Sequence, residues 1–543
     1  MERSPARILR SLFDPQFGMR DRLAPRWLFL RALALIYFSA FYSLLRQIRG
    51  LIGPDGILPA HQYLAAVHRG LGPLRFWYAP SLYWISSSDK ALMVFCWIGL
   101  IASIAALINL WPRLTFFVGF ICYLSFVAAA GDFSGYQSDG MLLEAGFLAL
   151  FFSPSGLLPG FGAHSPPSRA SYFLLQWEWF RIYFASGIVK FLSGDQQWRQ
   201  LTAMDEYYQN GPLPTWIGWY AQHLPHWFHV GSAGATLVME CAIVWMMFLP
   251  RRARLICFFI VTPWEIGVIL TANYTFLNYL VLTLGVLLLD DGYLRRIIPE
   301  DLHWILPEMP VQEQTRSPIT ALNLSEPQPG DEPAKLTHLQ SIKFAITVVA
   351  LTLIAYVATA QLILMPFSDL PLPTSPIRLL DPFRIANRYG LFAVMTRGRY
   401  EIEFQGSNDG QNWTPYLFRY KPQALNQRPG IYAPYQPRFD WNLWFCSLGD
   451  WQQNEIVPRT EEQLLANSYD ALHLFASNPF PAAPPKYVRA VLWQYWFTSM
   501  KDKHDSGNWW KRQLLGLYAP EITLQPDGSI GVIEWPQPLP PHD

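Results

Sequence analysis

The chain has 543 residues, 51% of them hydrophobic and 15% charged, and its 41 Lys+Arg against 40 Asp+Glu leave a net charge of +1. So little charge on so apolar a chain excludes intrinsic disorder, and the balance of signs removes the basic field of a nucleic-acid binder. The length exceeds what one soluble core supports, and 16% aromatic residues, with 23 Trp, fit a membrane protein with rings at the water interface. A mean hydropathy of +0.13 is low for a pure membrane bundle, so a sizeable aqueous part is expected.

The first 26 residues hold six arginines against three acids, and no signal-peptide cleavage pattern follows. The run from Trp27 to Leu45 is long enough to span, which gives a retained first helix with its N-terminus in the cytosol. Further candidate spans lie at about 91–110, 114–130, 139–153, 171–192, 233–249, 254–271, 275–289 and 341–365. Those at 139–153 and 275–289 are short, as tilted, half or re-entrant helices are. Nine spans place the C-terminus outside. The short loops agree: Arg113, Arg169, the Pro250–Arg254 cluster and Arg295-Arg296 fall on the cytosolic side, while turns 131–138 and 272–274 carry no Lys or Arg. The loop 46–90 departs from the rule with Arg46, Arg49, Arg69, Arg75 and Lys90, and its stretch from His61 to Trp84 reads as an aromatic-rich piece on the membrane surface.

Residues 290–340, with seven prolines, nine acids and four bases, read as a cytosolic linker. After the last span, Pro366, Pro371, Pro373 and Pro376 make a stiff tether. From about 377 the texture changes. Period-2 runs at Tyr400–Phe404, Tyr416–Tyr420 and Tyr487–Phe497, with a Gly406–Gly410 turn leading to a strand at Trp413, predict β structure. Helical patches near 441–448 and 460–476 lie between. The expected fold is therefore an α-helical multi-pass bundle plus a mainly β, sandwich-like extramembrane domain. Its parts are a basic N-terminus (1–26), a membrane domain (27–289), a linker (290–340), a last helix (341–365) and an outer β-rich domain (366–543), lumenal or periplasmic.

Charges inside spans are costly and face a partner or a cavity. Arg181 and Lys190 are nine residues apart, a half-turn offset that puts them on opposite helix faces and forbids a joint clamp. Lys190 is either a base or anion site near the outer end, with Gly187 admitting a close neighbour, or a snorkelling lysine. Arg181 is expected to pair with an acid such as Glu240 or Glu265. Asp139 stands where a helix begins and suits a cap, and Glu144, one to two turns further in, needs a partner.

The loop 193–232 is dense in Trp, His and Asp. His223, His226 and His229 spread over a wide arc and Pro225 interrupts them, so an interfacial aromatic belt is expected there, not a metal site. The five cysteines are scattered without a C-x-x-C pair: Cys96, Cys122, Cys241 and Cys257 lie in apolar runs and Cys446 stands alone, so no zinc or redox site is expected and no cofactor motif is present. Asn412-Trp-Thr414 fits a glycosylation sequon.

Several blocks resemble the lipase maturation factor family: Gly135-Tyr-Gln-Ser-Asp-Gly-Met-Leu-Leu-Glu144 and on to Pro154, Phe184–Asp195, Pro212–Thr215, Trp219–Pro225, Pro382–Thr396, Phe418–Pro422, Ala433–Trp441, Asn478–Pro481 and Pro485–Arg489. They run in matching order to about residue 520. The resemblance implies a multi-pass membrane protein that helps secreted lipases fold and assemble in the endoplasmic reticulum, with the outer β domain facing the client. A bacterial inner membrane is the alternative location, and the oligomeric state is left unassigned. A second, shorter resemblance is to the vitamin K-dependent γ-carboxylase and its relatives. Their Tyr-Phe-x-Ala-Gly-x-x-Lys helix is similar to Tyr183–Lys190 with Trp198 following, and there the corresponding lysine belongs to the catalytic centre.

Two readings follow. In the first, the protein is a non-enzymatic folding factor whose client is a lipase-like protein. Asp381, Arg384, Asn387, Tyr389, Arg397 and Lys421 then brace the outer domain against the membrane unit, and Trp441 is among the aromatic rings available for client contact, most of which are expected to fill a core instead. In the second, it is an intramembrane enzyme with Lys190 as its base. A transporter is suggested only by the two short spans.

Overall fold

Apolar runs of this length leave the backbone one choice in lipid: the helix, where each amide pairs within its own segment. A computed structural model describes residues 5–307 and 337–538. Its principal helices in the first two-thirds are α1 (Pro5–Phe13), α2 (Leu23–Ile52), α3 (Ala60–Leu71), α4 (Asp89–Leu107), α5 (Pro112–Val127), α6 (Gln137–Phe152), α7 (Arg169–Leu192), α8 (His226–Cys241), α9 (Arg251–Thr271), α10 (Leu277–Gly285), α11 (Asp291–Ile297) and α12 (His338–Ile363). Five are long and apolar enough to cross a membrane among the described residues: α2, α4, α8 with the 3-10 turn that extends it to Phe248, α9 and α12. A sixth crossing results if Leu277–Leu288 and Asp291–Ile297, bent by 99°, form one broken span.

The remaining expected spans are helical, but they do not meet that standard. α5 and α6 have 16 residues each, and α7 carries Glu178, Arg181 and Lys190. α6 and α7 turn most of their residues into the bundle. A helix lined by other helices needs no lipid-compatible surface, which is why polar residues are tolerated there. Arginines gather at one end of the bundle. Arg251 grips Asp290 with two 2.7 Å hydrogen bonds, and Arg22 donates to the Leu289 carbonyl. The neighbouring Asp291 accepts the amides of Leu23 and Ala24 (3.1 and 2.8 Å) and so caps α2 from 268 positions further along the chain. Of the expected linker, residues 308–336 lie outside the described residues.

The C-terminal part builds one six-stranded antiparallel sheet from β1 (Arg399–Ser407), β2 (Thr414–Pro415), β3 (Tyr487–Phe497), β4 (Trp510–Leu517), β5 (Glu521–Leu524) and β6 (Ile530–Glu534). β1 and β3 pair along their length, from Arg399↔Tyr495 to Ser407↔Tyr487. The other edge of β3 is shared by β4, then β5, with a register shift at Leu492/Trp493. The layer packed on this sheet among the described residues is helical, not a second sheet: α13 (Arg438–Cys446) lies against β1, and α14 (Ile456–Leu465) against β3 and β5. The expected sandwich is therefore a helix-backed sheet. The reason is local: the patches at 441–448 and 460–476 repeat with helical, not strand, period.

The run Tyr416–Tyr420, expected as a strand, is irregular. The Gln423 side chain takes the place of a neighbouring strand, accepting from Phe418 N at 3.0 Å and donating to Tyr416 O at 3.1 Å. On β1 the alternation is strict. Tyr400, Ile402 and Phe404 join the hydrophobic core, while Arg399, Glu401, Glu403 and Gln405 face a buried polar layer. Lys421 reaches Glu401 at 2.8 Å and Arg512 reaches Glu403 at 3.2 Å. Lys421 thus braces the sheet from within.

Asp440, in the first turn of α13, is buried in this unit and accepts the amides of Tyr420 and Lys421, both at 3.1 Å. Burial pushes its carboxyl up to about 6 against the pull of those amides. The folded chain then holds the proton more tightly than the unfolded chain. The stability it adds is full below the unfolded value and is lost as pH rises through about 6. Asp440→Asn is expected to flatten the thermal-stability profile between about pH 4 and 6. An unchanged profile in detergent-solubilised protein would exclude Asp440 as the source.

Candidate functional site

Three clusters of buried charge join the membrane helices to the C-terminal unit. The first is centred on Asp139, 0% exposed on the first turn of α6. Arg438 of α13 grips it in a bidentate pair, Nη2 to Oδ1 at 2.7 Å and Nη1 to Oδ2 at 3.0 Å. Tyr123 of α5 donates to Oδ1 at 2.5 Å and accepts from Arg438 Nη2 at 2.8 Å, while Arg438 Nη1 also reaches Phe133 O at 2.7 Å. Asp139 is therefore not the cap that its position suggests. Its acceptors are taken by a residue 299 positions away.

The second cluster is centred on Glu144, one further turn into α6. Arg181 of α7 donates to its Oε1, and Oε2 accepts from Asn387 N at 2.9 Å and Tyr389 Oη at 2.8 Å. Arg181 donates again to Asn387 O at 2.8 Å, and its guanidinium lies 5.1 Å from the centre of the Tyr389 ring. Arg181 pairs with Glu144, not with Glu240 or Glu265, because α6 lies alongside α7 at this level. Gly140 makes the approach possible: a Cβ there would stand 2.8 Å from the Asn387 Oδ1. Glu178, three residues before Arg181, joins through a 3.4 Å contact from Tyr389 Oη, and its Oε2 has no partner among the described residues.

The third cluster is centred on Lys190, 1% exposed. Its Nζ donates to both Glu240 oxygens at 3.0 and 2.8 Å, to Ser186 O at 3.2 Å and to Leu391 O at 3.1 Å. It also lies 4.9 Å from the centre of the Trp198 ring. Gly187 brings α7 and α8 together, since a Cβ there would stand 2.5 Å from Cys241 Sγ. The half-turn offset is what sends Lys190 and Arg181 to different acids. Glu265 stands apart from both cations and accepts from Tyr183 Oη and Asn278 Nδ2, each at 2.5 Å.

One segment threads the second and third clusters. From Asn387 to Arg399 the chain is stapled to the membrane unit at short intervals. Gly390 N donates to Gln137 at 3.1 Å, Leu391 N to Ser186 Oγ at 3.0 Å, and Trp198 Nε1 to Phe392 O at 2.9 Å. Met395 N donates to Asp195 at 2.8 Å, and Arg399 Nη1 to Gln209 O at 2.9 Å. A second segment runs along α2: Ser39 Oγ donates to Pro434 O at 2.9 Å, and Ser43 Oγ accepts from Gln436 N at 3.0 Å.

Other expected residues lie elsewhere. Trp441 is 7% exposed and packs edge-on to Tyr136 and Tyr274, so it belongs to the seam and not to a free surface. Asp381 and Arg384 are exposed and 4.0 Å apart, and Arg397 is exposed. His223 bonds Trp219 O and Thr498 O, His229 bonds Met204 O and Leu224 O, and His226 faces Asp205. No group of three metal-ligating side chains occurs among the described residues. Arg438, Tyr123 and Glu178 are not among the residues that the sequence singles out. Arg438 stood inside the Ala433–Trp441 block, but outside the spans a single arginine carries no signal of burial.

A lipase maturation factor transmembrane domain model matches residues 24–296, and a lipase maturation factor C-terminal domain model matches residues 385–520. The chain belongs to the lipase maturation factor family. The two matched regions are the two sides of the seam, and the second begins where the stapled segment does. Relatives include lipase maturation factor 2 of Gallus gallus, 31% identical over 92% of this chain and 81% of that protein. Lipase maturation factor 2 of Homo sapiens is 31% identical over 92% and 83%, and lipase maturation factor 1 of Bos taurus 29% over 95% and 92%. No solved structure matches the chain. In family terms, the conjunction of Asp139 with Arg438, and of Glu144 with Asn387, joins the transmembrane domain to the C-terminal domain.

Proposed function

We propose that this protein is a membrane-embedded maturation factor that assists the folding and assembly of secreted lipases, its C-terminal unit facing the client on the far side of the membrane from the N-terminus. The observation that carries this reading is the family match on both sides of the seam. α5, α6, α7 and the bent pair complete a nine-helix bundle, an odd number that puts the two termini on opposite faces. The arginines of the short loops set the N-terminus in the cytosol. The membrane is then that of the compartment through which the client is exported, the endoplasmic reticulum or a bacterial inner membrane. The seam holds the C-terminal unit in one pose, and a preorganised surface loses less entropy on binding a mobile client.

The enzyme reading gains nothing from the site. Lys190 is wrapped by two carboxylate oxygens and two backbone carbonyls, which take up its N–H donors and enclose it away from any substrate. Deletion of residues 377–543 is expected to abolish recovery of active secreted lipase in cells that depend on this factor, with the membrane unit still detected by blot. Unchanged lipase activity in the medium would sink the proposal.

A further inference from the structure

The chain between α2 and α4 makes an excursion whose level is fixed at several points. It leaves the end of α2 at Ile52 and returns at Asp89, where α4 begins and packs back along α2. Ser81 Oγ donates to Ser125 O at 2.8 Å and Leu82 N donates to Ser125 Oγ at 3.0 Å, on the last turn of α5. The Tyr83 ring, 2% exposed, packs on Phe95 of α4 with centroids 5.8 Å apart. A further tie comes from the chain leaving α12: Trp77 Nε1 donates to Leu379 O at 3.1 Å, and its ring meets Phe383 edge-on at 4.8 Å. The end of α2, the start of α4 and the last turn of α5 thus set the height of this excursion.

Between these ties the excursion turns apolar side chains outward. Leu74 is 60% exposed, Phe76 55%, Tyr78 51% and Ile85 80%. On the tether just past α12, Phe367 is 62% exposed. Arg75 lies over the Phe76 and Trp84 rings, 4.2 and 5.3 Å from their centres. Amphipathic rings with a cation folded over them suit the boundary between lipid headgroups and acyl chains. A patch this apolar on a water-facing surface would be costly.

We propose that residues 71–85 form an in-plane anchor seated in the headgroup layer of the leaflet where α12 exits, and that through Trp77 it pins the tether 364–383 to the bilayer surface. The partner is lipid. The anchor's ties run to the last turn of α5, to Phe95 two turns into α4, and to Leu379 and Phe383 on the tether that follows α12, and α4 and α12 are both long and apolar enough to cross. The tether is the chain's route from α12 to the stapled segment, so its height above the bilayer is set as well.

The test uses the full chain in phosphatidylcholine vesicles, with a cysteine introduced as Leu74→Cys, Phe76→Cys or, for reference, Ile533→Cys on β6, where Ile533 is 56% exposed. The five native cysteines are buried or half-buried, so a thiol-directed environment-sensitive fluorophore goes to the introduced one. Lipids carrying a nitroxide near the headgroup are expected to quench the labels at 74 and 76 severalfold more than the label at 533, and more than lipids carrying it at the chain end. Equal quenching at all three positions would overturn the proposal. So would shielding at 74 and 76 that arises only when unfolded lipase is added, which would make the patch a client surface. The readout needs no maturation activity, so it stands apart from the client reading.

Discussion

Replacing Arg438 by alanine is expected to destabilise the folded chain by about 3–5 kcal/mol, because it leaves the Asp139 carboxylate buried without its cation. Both side chains are 1% exposed, so water cannot take the place of the guanidinium. Tyr123 and the Phe133 carbonyl also lose a donor, which adds to the cost. The effect should show first as loosening of the seam. Limited proteolysis is expected to release the C-terminal unit from Arg438→Ala at protease levels that leave the parent chain intact. A double-mutant cycle separates the pair from general damage. Asp139→Asn with Arg438→Gln should cost much less than the sum of the two single changes, since each single change strands a charge and the double change strands none. Strict additivity would mean that the two residues do not act through each other.

The membrane half of the fold was legible because the bilayer imposes a length and a composition. The crossings that meet this standard, α2, α4, α8, α9 and α12, are runs that hydropathy alone marks. α6 and α7 read less clearly because they are wrapped by protein, and burial in protein lifts the demand for apolar residues. Within them the charges at Asp139, Glu144, Arg181 and Lys190 could be flagged in advance, since an intramembrane charge must find a partner. Which partner was another matter. Arg181 to Glu144 spans 37 positions, Asn387 to Glu144 243, and Arg438 to Asp139 299. No periodicity relates residues that far apart. Helical geometry could say that Lys190 and Arg181 face different ways, but not that the Asn387–Leu391 segment would come down to meet both.

In the C-terminal unit, strict alternation identified β1 and β3, whose long mutual pairing follows from it. It failed at Tyr416–Tyr420, where a glutamine side chain supplies the hydrogen bonds that a strand would have supplied. The aromatic residues were legible as a class and not by role. Trp441 reads either as a client-contact ring or as core, and it fills the seam, while the exposed rings at Phe76 and Tyr78 belong to the membrane unit.

Lys190→Ala is expected to be the most damaging single change at the Lys190–Glu240 cluster, by about 3–5 kcal/mol, because Glu240 stays buried and loses the donor of both its short hydrogen bonds. Loss of lipase maturation in that variant would not distinguish a structural lysine from a catalytic one. The pair Lys190→Met with Glu240→Leu does. If the lysine holds α7, α8 and Leu391 O together, removing both charges and filling the space with apolar side chains should recover most of the lost stability and most of the secreted lipase activity. Replacing buried ion pairs by packed hydrophobes is neutral or stabilising in other proteins. If Lys190 is a base, the double variant should fold, resist protease like the parent and still fail to mature its client, since no group at that position could then take a proton. Thermal unfolding with secreted lipase activity, measured on the single and double variants together, decides between them. The four acceptors around Nζ favour recovery, and a folded, inactive double variant would overturn the structural assignment of Lys190.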